Sequence, residues 1–146
     1  MKEKNIKLAA VVNNAGINPE QSLLEKSNEN ANILADPTIA SRVFETNVIG
    51  VARITRAFLP LLCEGGRIVH IGSYFGSLAG QYCLGHAYYE SSKFALEGLT
   101  DNMRRTLKEQ EKWAVLVKPG NISSDMNSQG EITPIVVAKD IEHAIS

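Results

Sequence analysis

Three short runs rich in apolar or β-branched residues lie along this chain, and each run is followed by a turn signal. The runs cover residues 8–12, 67–72 and 113–117, and the turns that follow contain Asn13-Asn-Ala-Gly16, Ser73 and Pro119-Gly120. Continuous apolar runs of this length are typical of strands buried on both faces, as in parallel sheets. The pattern therefore predicts three parallel strands.

Apolar residues between these strands recur at helical spacing. One periodic stretch starts at Asp36, a capping residue, and Pro37, and it extends to about residue 63, with Pro60 expected to bend or end the helix. A second helix is predicted over residues 87–110, and the glycine- or asparagine-rich stretches 17–35 and 74–86 are predicted to be loops. This order of elements predicts an α/β fold with a doubly wound parallel sheet and right-handed crossovers.

The carboxyl ends of the three predicted strands carry the residues of greatest chemical interest. Asn13, Ser73 and Pro119-Gly120 all follow a strand directly or within two residues. In open parallel sheets, ligands bind in the crevice outside these ends. We therefore expect three loops to converge on one binding site.

Composition narrows the class of partner. The 146 residues are 44% hydrophobic, which suits one globular domain with a core of useful size. Fifteen basic and sixteen acidic residues give a net charge of -1, and neither sign forms a long block. These values argue against nucleic acid or an anionic membrane as partner. A small molecule or a second copy of the chain is the expected partner.

Targeting and metal signals are weak in the sequence. The apolar run after the charged start is too short for a signal peptide or a membrane span, so a cytoplasmic location is the default expectation. Cys63 and Cys83 have no metal-binding spacing and are expected to be reduced and packed. No metal site is predicted.

Tyr89 and Lys93 are four residues apart in the second predicted helix, and this spacing places them on one helix face. A tyrosine needs roughly 4 kcal/mol of phenolate stabilisation to bring its pKa from about 10 to neutrality, and a nearby ammonium can supply that amount. The pair is therefore a candidate general acid and base. An isolated match of this spacing is more often a surface pair on a helix.

The Tyr89 and Lys93 spacing belongs to a series of five motifs along the chain. The motifs are Asn13-Asn-Ala-Gly16, Phe44-Glu-Thr-Asn47-Val-Ile-Gly50, Gly66-Arg-Ile-Val-His-Ile-Gly-Ser73, Tyr89-Glu-Ser-Ser-Lys93 and Pro119-Gly-Asn-Ile-Ser-Ser124. In these motifs and their order, residues 6–126 resemble the short-chain dehydrogenase/reductase family, and residues 92–99 are most similar to its steroid and retinol dehydrogenase branch.

The resemblance implies four catalytic residues. Tyr89 would protonate a substrate carbonyl or deprotonate an alcohol, while Lys93 would lower the pKa of Tyr89 and hold the nicotinamide ribose hydroxyls. The Asn47 backbone carbonyl would anchor a water in a proton relay, although a polar residue that merely bends the helix is the alternative. Ser73 would bind the substrate oxygen. Ser77 is an alternative, because the spacing from Ser73 to Tyr89 is about three residues longer than is common in the family.

The resemblance also implies NAD or NADP as cofactor. Besides Tyr89 and Lys93, the implied cofactor contacts come from two loops. The backbone of the first loop would approach the adenosine side, unless that turn only stabilises the sheet, and the second would meet the nicotinamide carboxamide. The residues are Asn13, Ala15 and Gly16 in the first loop, and Pro119, Gly120, Ile122 and Ser124 in the second.

Two residues that lie in or beside these motifs are expected to take no part in the chemistry. His70 lies in the middle of a predicted strand and is expected to be a packed core residue. Tyr88 is one residue off the motif and is expected to face elsewhere.

The family's glycine-rich cofactor turn is expected upstream of Asn13, which is preceded by only twelve residues. Residues 1–146 are thus expected to be the C-terminal, catalytic portion of one NAD(P)-binding, Rossmann-like domain that lacks its first strands.

Two functions follow as hypotheses. One is hydride transfer between NAD(P)(H) and a secondary alcohol or ketone. The other is a truncated, non-catalytic interaction partner. The family commonly dimerises through helices matching residues 37–63 and 87–110, so a homo-oligomer is expected.

Overall fold

A computed structural model describes residues 6–20, 36–76 and 86–146 of the chain. Within them, strands β1 (Leu8–Asn13), β2 (Leu62–Ile71) and β3 (Trp113–Val117) form a parallel sheet in the order β1-β2-β3. Asn13 pairs with His70, and Ile71 pairs with Val117. The strands therefore end together, at one edge of the sheet.

The first predicted helix begins where expected but is not continuous. Asp36 caps α1 (Pro37–Phe44) by accepting a hydrogen bond from the Thr38 N–H at 2.8 Å. A π-helical segment (Glu45–Gly50), α2 (Val51–Phe58) and a 3₁₀ turn (Leu59–Leu61) follow. The prediction of one helix to about residue 63 is wrong in this respect, because Asn47 is held inward by tertiary contacts and Pro60 supports only a tight last turn.

Strand β2 starts earlier than the sequence predicts. It begins at Leu62 rather than at Arg67, and Gly65 and Gly66 lie inside it instead of breaking the chain before it. Gly65 has φ +71°, and its N–H donates to the Glu111 carbonyl at 2.7 Å. A glycine tolerates this left-handed backbone, so the strand passes through an irregularity that shifts its register against β1.

Helices cover both faces of the sheet. Successive strand residues point to opposite faces, and Ile68 of β2 packs against Leu107 of α3 (Ala87–Lys108). The adjacent Arg67 instead donates to the Ile145 carbonyl at the end of α4 (Pro134–Ile145), at 3.1 Å. Residues 68–71 are all buried, as expected for a sheet covered on both sides.

Parts of the two predicted loops, residues 21–35 and 77–85, lie outside the described residues, and Cys83 lies there too. A short 3₁₀ turn (Tyr74–Gly76) follows β2, and Cys63 is a free thiol. In the described part of the chain, no helix combines the length and the apolar character that crossing a membrane requires.

Candidate active site

A cleft of about 1330 Å³ lies at the edge of the sheet where the strands end. The three predicted loops contribute Gly16, Ser73 and Gly120 to its wall, and α3 contributes Tyr89 and Lys93. Tyr88 is not among the lining residues, so the two adjacent tyrosines differ in their access to the cleft. No group of metal-ligating side chains occurs among the described residues.

Ser73 and Tyr89 both line this cleft. Ser73 Oγ accepts a hydrogen bond from the Phe75 N–H at 3.2 Å. Burial raises the pKa of Tyr89 above its ordinary value, and hydrogen bonding to the Ser73 side chain partly opposes that rise. Ser77, the alternative to Ser73, lies outside the described residues.

Lys93 is buried beside this pair. Its ammonium donates to the Ile71 carbonyl at 2.8 Å and lies 5.5 Å from the centroid of the Tyr89 ring. Burial lowers the pKa of Lys93 to about 8. The net shift of the Tyr89 pKa is upward, opposite to the predicted shift towards neutrality, because burial of the phenol is its largest cause.

Asn47 lies behind the cleft wall and connects three elements. Its Oδ1 accepts the Ile17 N–H at 2.8 Å, and its Nδ2 donates to the Ile17 carbonyl and to Ser92 Oγ, both at 3.0 Å. Gly16 lies just in front, where a Cβ would be 3.4 Å from Asn47 Oδ1 and 3.5 Å from Lys93 Nζ. The asparagine therefore fixes the chain after β1 against α3, beside the lysine.

Asn13 belongs to a buried hydrogen-bond network beneath the cleft. Its side-chain amide donates to Thr55 Oγ1 at 3.2 Å, and it is not among the residues that line the cleft. Thr55 Oγ1 lies 3.4 Å from His70 Nε2. Of the two roles considered for Asn13, its side chain serves the one that stabilises the sheet.

His70 is a core residue, as the sequence predicts. It is fully buried, and burial, aided by the charge of Lys93, lowers its pKa to about 4. The Thr100 hydroxyl donates to the Leu96 carbonyl at 2.7 Å, so it accepts from His70 Nδ1 at 2.8 Å. We therefore assign the neutral tautomer with the proton on Nδ1.

The loop after β3 forms part of the cleft wall, to which it contributes Pro119, Gly120, Ile122 and Ser124. Backbone bonds close it, since the Ser123 N–H donates to the Ile132 carbonyl at 2.8 Å and the Ser124 N–H donates to the Asn127 carbonyl at 3.0 Å. Gly130 fits against Ile122 so closely that a Cβ would lie 2.0 Å from its carbonyl carbon.

Sequence reasoning missed three polar residues around the start of α3. Glu20 is only 4% exposed, and its carboxylate accepts the N–H groups of Tyr88 at 3.1 Å and Tyr89 at 2.7 Å. Asn18 contacts Nδ1 of the buried His86 at 3.1 Å. The residue before α3 is one signal for them. His86 supplies no side-chain cap, and a helix start without a local cap requires acceptors from elsewhere in the chain.

Comparisons with known proteins agree with this architecture. The C-signal protein of Myxococcus xanthus is 34% identical over 96 residues, which cover 64% of this chain and 58% of that protein. Retinol dehydrogenase 16 of Rattus norvegicus is 30% identical over 128 residues, which cover 85% of this chain and 36% of that protein. The chain thus spans less than two thirds of the length of either relative.

Solved structures share the fold. The crystal structure of BdcA in complex with NADPH superposes with a TM-score of 0.79 at 24% identity, covering 97% of this chain and 59% of that one. This likeness confirms the α/β fold with a partial Rossmann-like sheet that the sequence predicts. The family model described as short chain dehydrogenase matches residues 1–133. The chain therefore belongs to the short chain dehydrogenase family.

Proposed function

We propose that residues 1–146 form the catalytic portion of one NAD(P)-binding domain that transfers hydride between NAD(P)(H) and a secondary alcohol or ketone. The observation that carries this proposal is the convergence of Ser73, Tyr89 and the buried Lys93 on one cleft of a short chain dehydrogenase. Two hydroxyl groups that line the same cleft can bind and protonate one oxygen atom.

Tyr89 is the proposed acid in the direction of reduction. Because burial raises its pKa, its phenol holds a proton at neutral pH and can give it to a carbonyl oxygen. Ser73 donates a hydrogen bond to the same oxygen, which stabilises the negative charge that develops there. In the direction of oxidation, Tyr89 removes the alcohol proton, and this step becomes easier as the pH rises.

Lys93 and Asn47 are the proposed supporting residues. The Lys93 ammonium lies close enough to stabilise the phenolate left after proton donation. The π-helical turn at Asn47 changes which carbonyls accept helix hydrogen bonds, which supports a role for its carbonyl in holding a relay water. Protons would then reach Tyr89 from solvent by way of that water and Lys93.

The cleft has groups that suit a nicotinamide cofactor. An ammonium has three N–H donors, and the bond to Ile71 uses one, so Lys93 can also bind ribose hydroxyls. The absence of a side chain at Gly16 leaves space directly beside Nζ, and Ala15 lines the same wall. The residues proposed for the carboxamide side are Pro119, Gly120, Ile122 and Ser124. When bound, the cofactor supplies or accepts the hydride.

The substrate proposed for this site is apolar around its alcohol or ketone. The cleft wall includes Phe75, Ile122, Met126, Val137 and Ile141. Such a lining favours a hydrophobic molecule with one polar end. The resemblance to the steroid and retinol dehydrogenase branch, and the named relative retinol dehydrogenase 16, make steroid and retinoid alcohols the first substrates to test.

A homo-oligomer is the proposed assembly. Ile54, Phe58 and Leu61 are apolar and 39% to 45% exposed on the segment that the family commonly uses for dimerisation. Exposed apolar side chains of this size favour a partner surface. A cytoplasmic location stays a prediction.

Turnover of steroid and retinoid carbonyl substrates with NADPH and NADH tests the proposal, with Tyr89→Phe and its neighbour Tyr88→Phe as a matched pair. We expect Tyr89→Phe to lower kcat on the order of a hundredfold or more, because the proton donor is lost. Tyr88→Phe should retain kcat within about twofold, because Tyr88 does not line the cleft. Equal activity in the two variants would contradict the assignment.

A further inference from the structure

A short segment after β1 is attached to the start of the proposed catalytic helix. The Asn47 side chain binds Ile17 in both directions, Asn18 contacts His86, and Glu20 binds the first turn of α3. The segment therefore connects the cleft loop that begins at Asn14 to the helix that carries Tyr89.

Glu20 makes the strongest of these contacts. The first N–H groups of a helix have no partner within the helix, and the helix dipole favours a negative charge beside them. Both carboxylate oxygens of Glu20 are used, one for the Tyr88 N–H and one for the Tyr89 N–H. Hydrogen bonds to an ionised carboxylate are stronger than neutral ones, and two parallel bonds also restrict the orientation of the groups that they join. A local cap is absent, so among the described residues Glu20 supplies the side-chain cap of this turn.

Tyr89 is the third residue of α3, and its backbone N–H makes the shorter of the two bonds, at 2.7 Å. The rest of the helix is anchored independently, through the bond from Lys93 to Ile71 and the bond between Thr100 and His70. Loss of the Glu20 carboxylate should therefore disturb the first turn and leave the body of α3 in place.

We propose that Glu20 is a positioning residue, which holds the first turn of α3 so that the Tyr89 hydroxyl reaches Ser73. Its role in turnover rests on the proposed function. The contact between Tyr89 and Ser73 does not, and it can be measured in the protein without substrate.

The test is a double-mutant cycle on the ionisation of Tyr89 in the full chain. The phenol is titrated by NMR with carbon-labelled tyrosine, and its signal is assigned by comparison with Tyr89→Phe. In the unaltered background, Ser73→Ala should raise the pKa of Tyr89, because it removes the hydrogen bond that lowers it. In the Glu20→Gln background, we expect Ser73→Ala to have no effect, since the bond is already lost. An equal rise in both backgrounds would overturn the proposal.

Asp36→Asn is the matched control. It also removes one carboxylate charge from a helix N-terminus, but Asp36 caps α1 and does not line the cleft. In that background, Ser73→Ala should still raise the pKa of Tyr89. If Glu20→Gln fails to fold, Glu20→Asp replaces it, because aspartate keeps the charge but is one methylene too short to reach both N–H groups.

Kinetics provides the second measurement. Glu20→Gln should lower kcat on the order of tenfold or more, because small misplacements of a catalytic group are costly, with KM for the carbonyl substrate changed by less than about twofold. A fall in kcat equal to that of Asp36→Asn would contradict positioning. A chain without any turnover would count against the proposed function alone, because the titration cycle would still decide the role of Glu20.

Discussion

Burial decides the direction of the pKa shift at two residues that line the cleft and at one buried histidine. Lys93 and His70 have lowered pKa values and Tyr89 has a raised one, and burial is the largest cause in each case. Each shift favours the neutral form of its group, because a low-dielectric surrounding disfavours charge. For Tyr89, burial therefore favours the neutral phenol, which is the form that the proposed proton donor requires.

Lys93 should make the protein more stable as the pH rises through the alkaline range. Its folded pKa is about 8 and its ordinary value is 10.5, so between these pH values the unfolded chain binds more protons. The free energy of unfolding should rise by roughly 3 kcal/mol from this group across that window. Denaturant unfolding should show this component disappearing in Lys93→Met and persisting in Lys139→Met, which removes an exposed lysine.

His70 should contribute to acid unfolding. Its folded pKa of about 4 lies below the ordinary 6.5, so the unfolded chain binds more protons between these values. Lowering the pH across this window should decrease the free energy of unfolding by roughly 3 kcal/mol from this residue alone. His70→Gln should flatten that slope, while His143→Gln, at an exposed position, should not. An unchanged slope in His70→Gln would contradict a buried neutral histidine.

Among the helices and strands, the sequence predicts those whose burial follows from the order of their own residues. Strand β3 and helix α3 were predicted closely because burial follows the apolar period of their own residues. The π-helical segment and the early start of β2 were not, since they depend on distant contacts. Asn47 binds Ile17, and Gly65 binds Glu111. A sequence window that holds only one partner of such a pair gives no sign of the other.

Replacing either of two glycines by alanine should change the stability of the protein, but in opposite directions. A Cβ at Gly130 would lie 2.0 Å from the Ile122 carbonyl carbon, whereas a Cβ at Gly98 in α3 would meet nothing within 4 Å. Gly98→Ala should stabilise the protein by about 0.5–1 kcal/mol, because alanine favours helix. Gly130→Ala should destabilise it by at least about 1 kcal/mol and weaken cofactor binding, because the loop with Ile122 must move. Thermal unfolding and a cofactor titration would measure both effects, and similar shifts in the two variants would contradict this account.

In the candidate site, too, the sequence identifies residues that belong to a motif and misses those that depend on partners far away in the chain. The motif residues Ser73, Tyr89 and Lys93 were identified from the sequence, and the structure brings them to one cleft. Glu20 was missed because its two partners are 68 and 69 residues away in sequence. The shift of Tyr89 was predicted with the wrong sign, since spacing reveals a neighbouring charge but not the degree of burial.

For the whole molecule, the most relevant surface is the apolar one formed by Ile54 and Phe58 of α2 and Leu61 of the following turn. We expect the chain to self-associate through that surface. Phe58→Glu should shift the sedimentation coefficient towards the monomer, because a charge cannot be buried cheaply in an apolar contact. Ile135→Glu, at a 70% exposed position on α4, should leave the association unchanged. Equal effects of the two variants would contradict the proposed interface.

Hydride transfer by this chain, with Tyr89 supplying the proton, is the proposed reaction. The most direct measurement is single-turnover reduction of a ketone with NADPH deuterated at the transferred position, followed by mass spectrometry of the product. We predict one deuterium on the carbinol carbon, and a yield that falls sharply in Tyr89→Phe but not in Tyr88→Phe. A product without deuterium, or a labelled yield unchanged in Tyr89→Phe, would contradict the account.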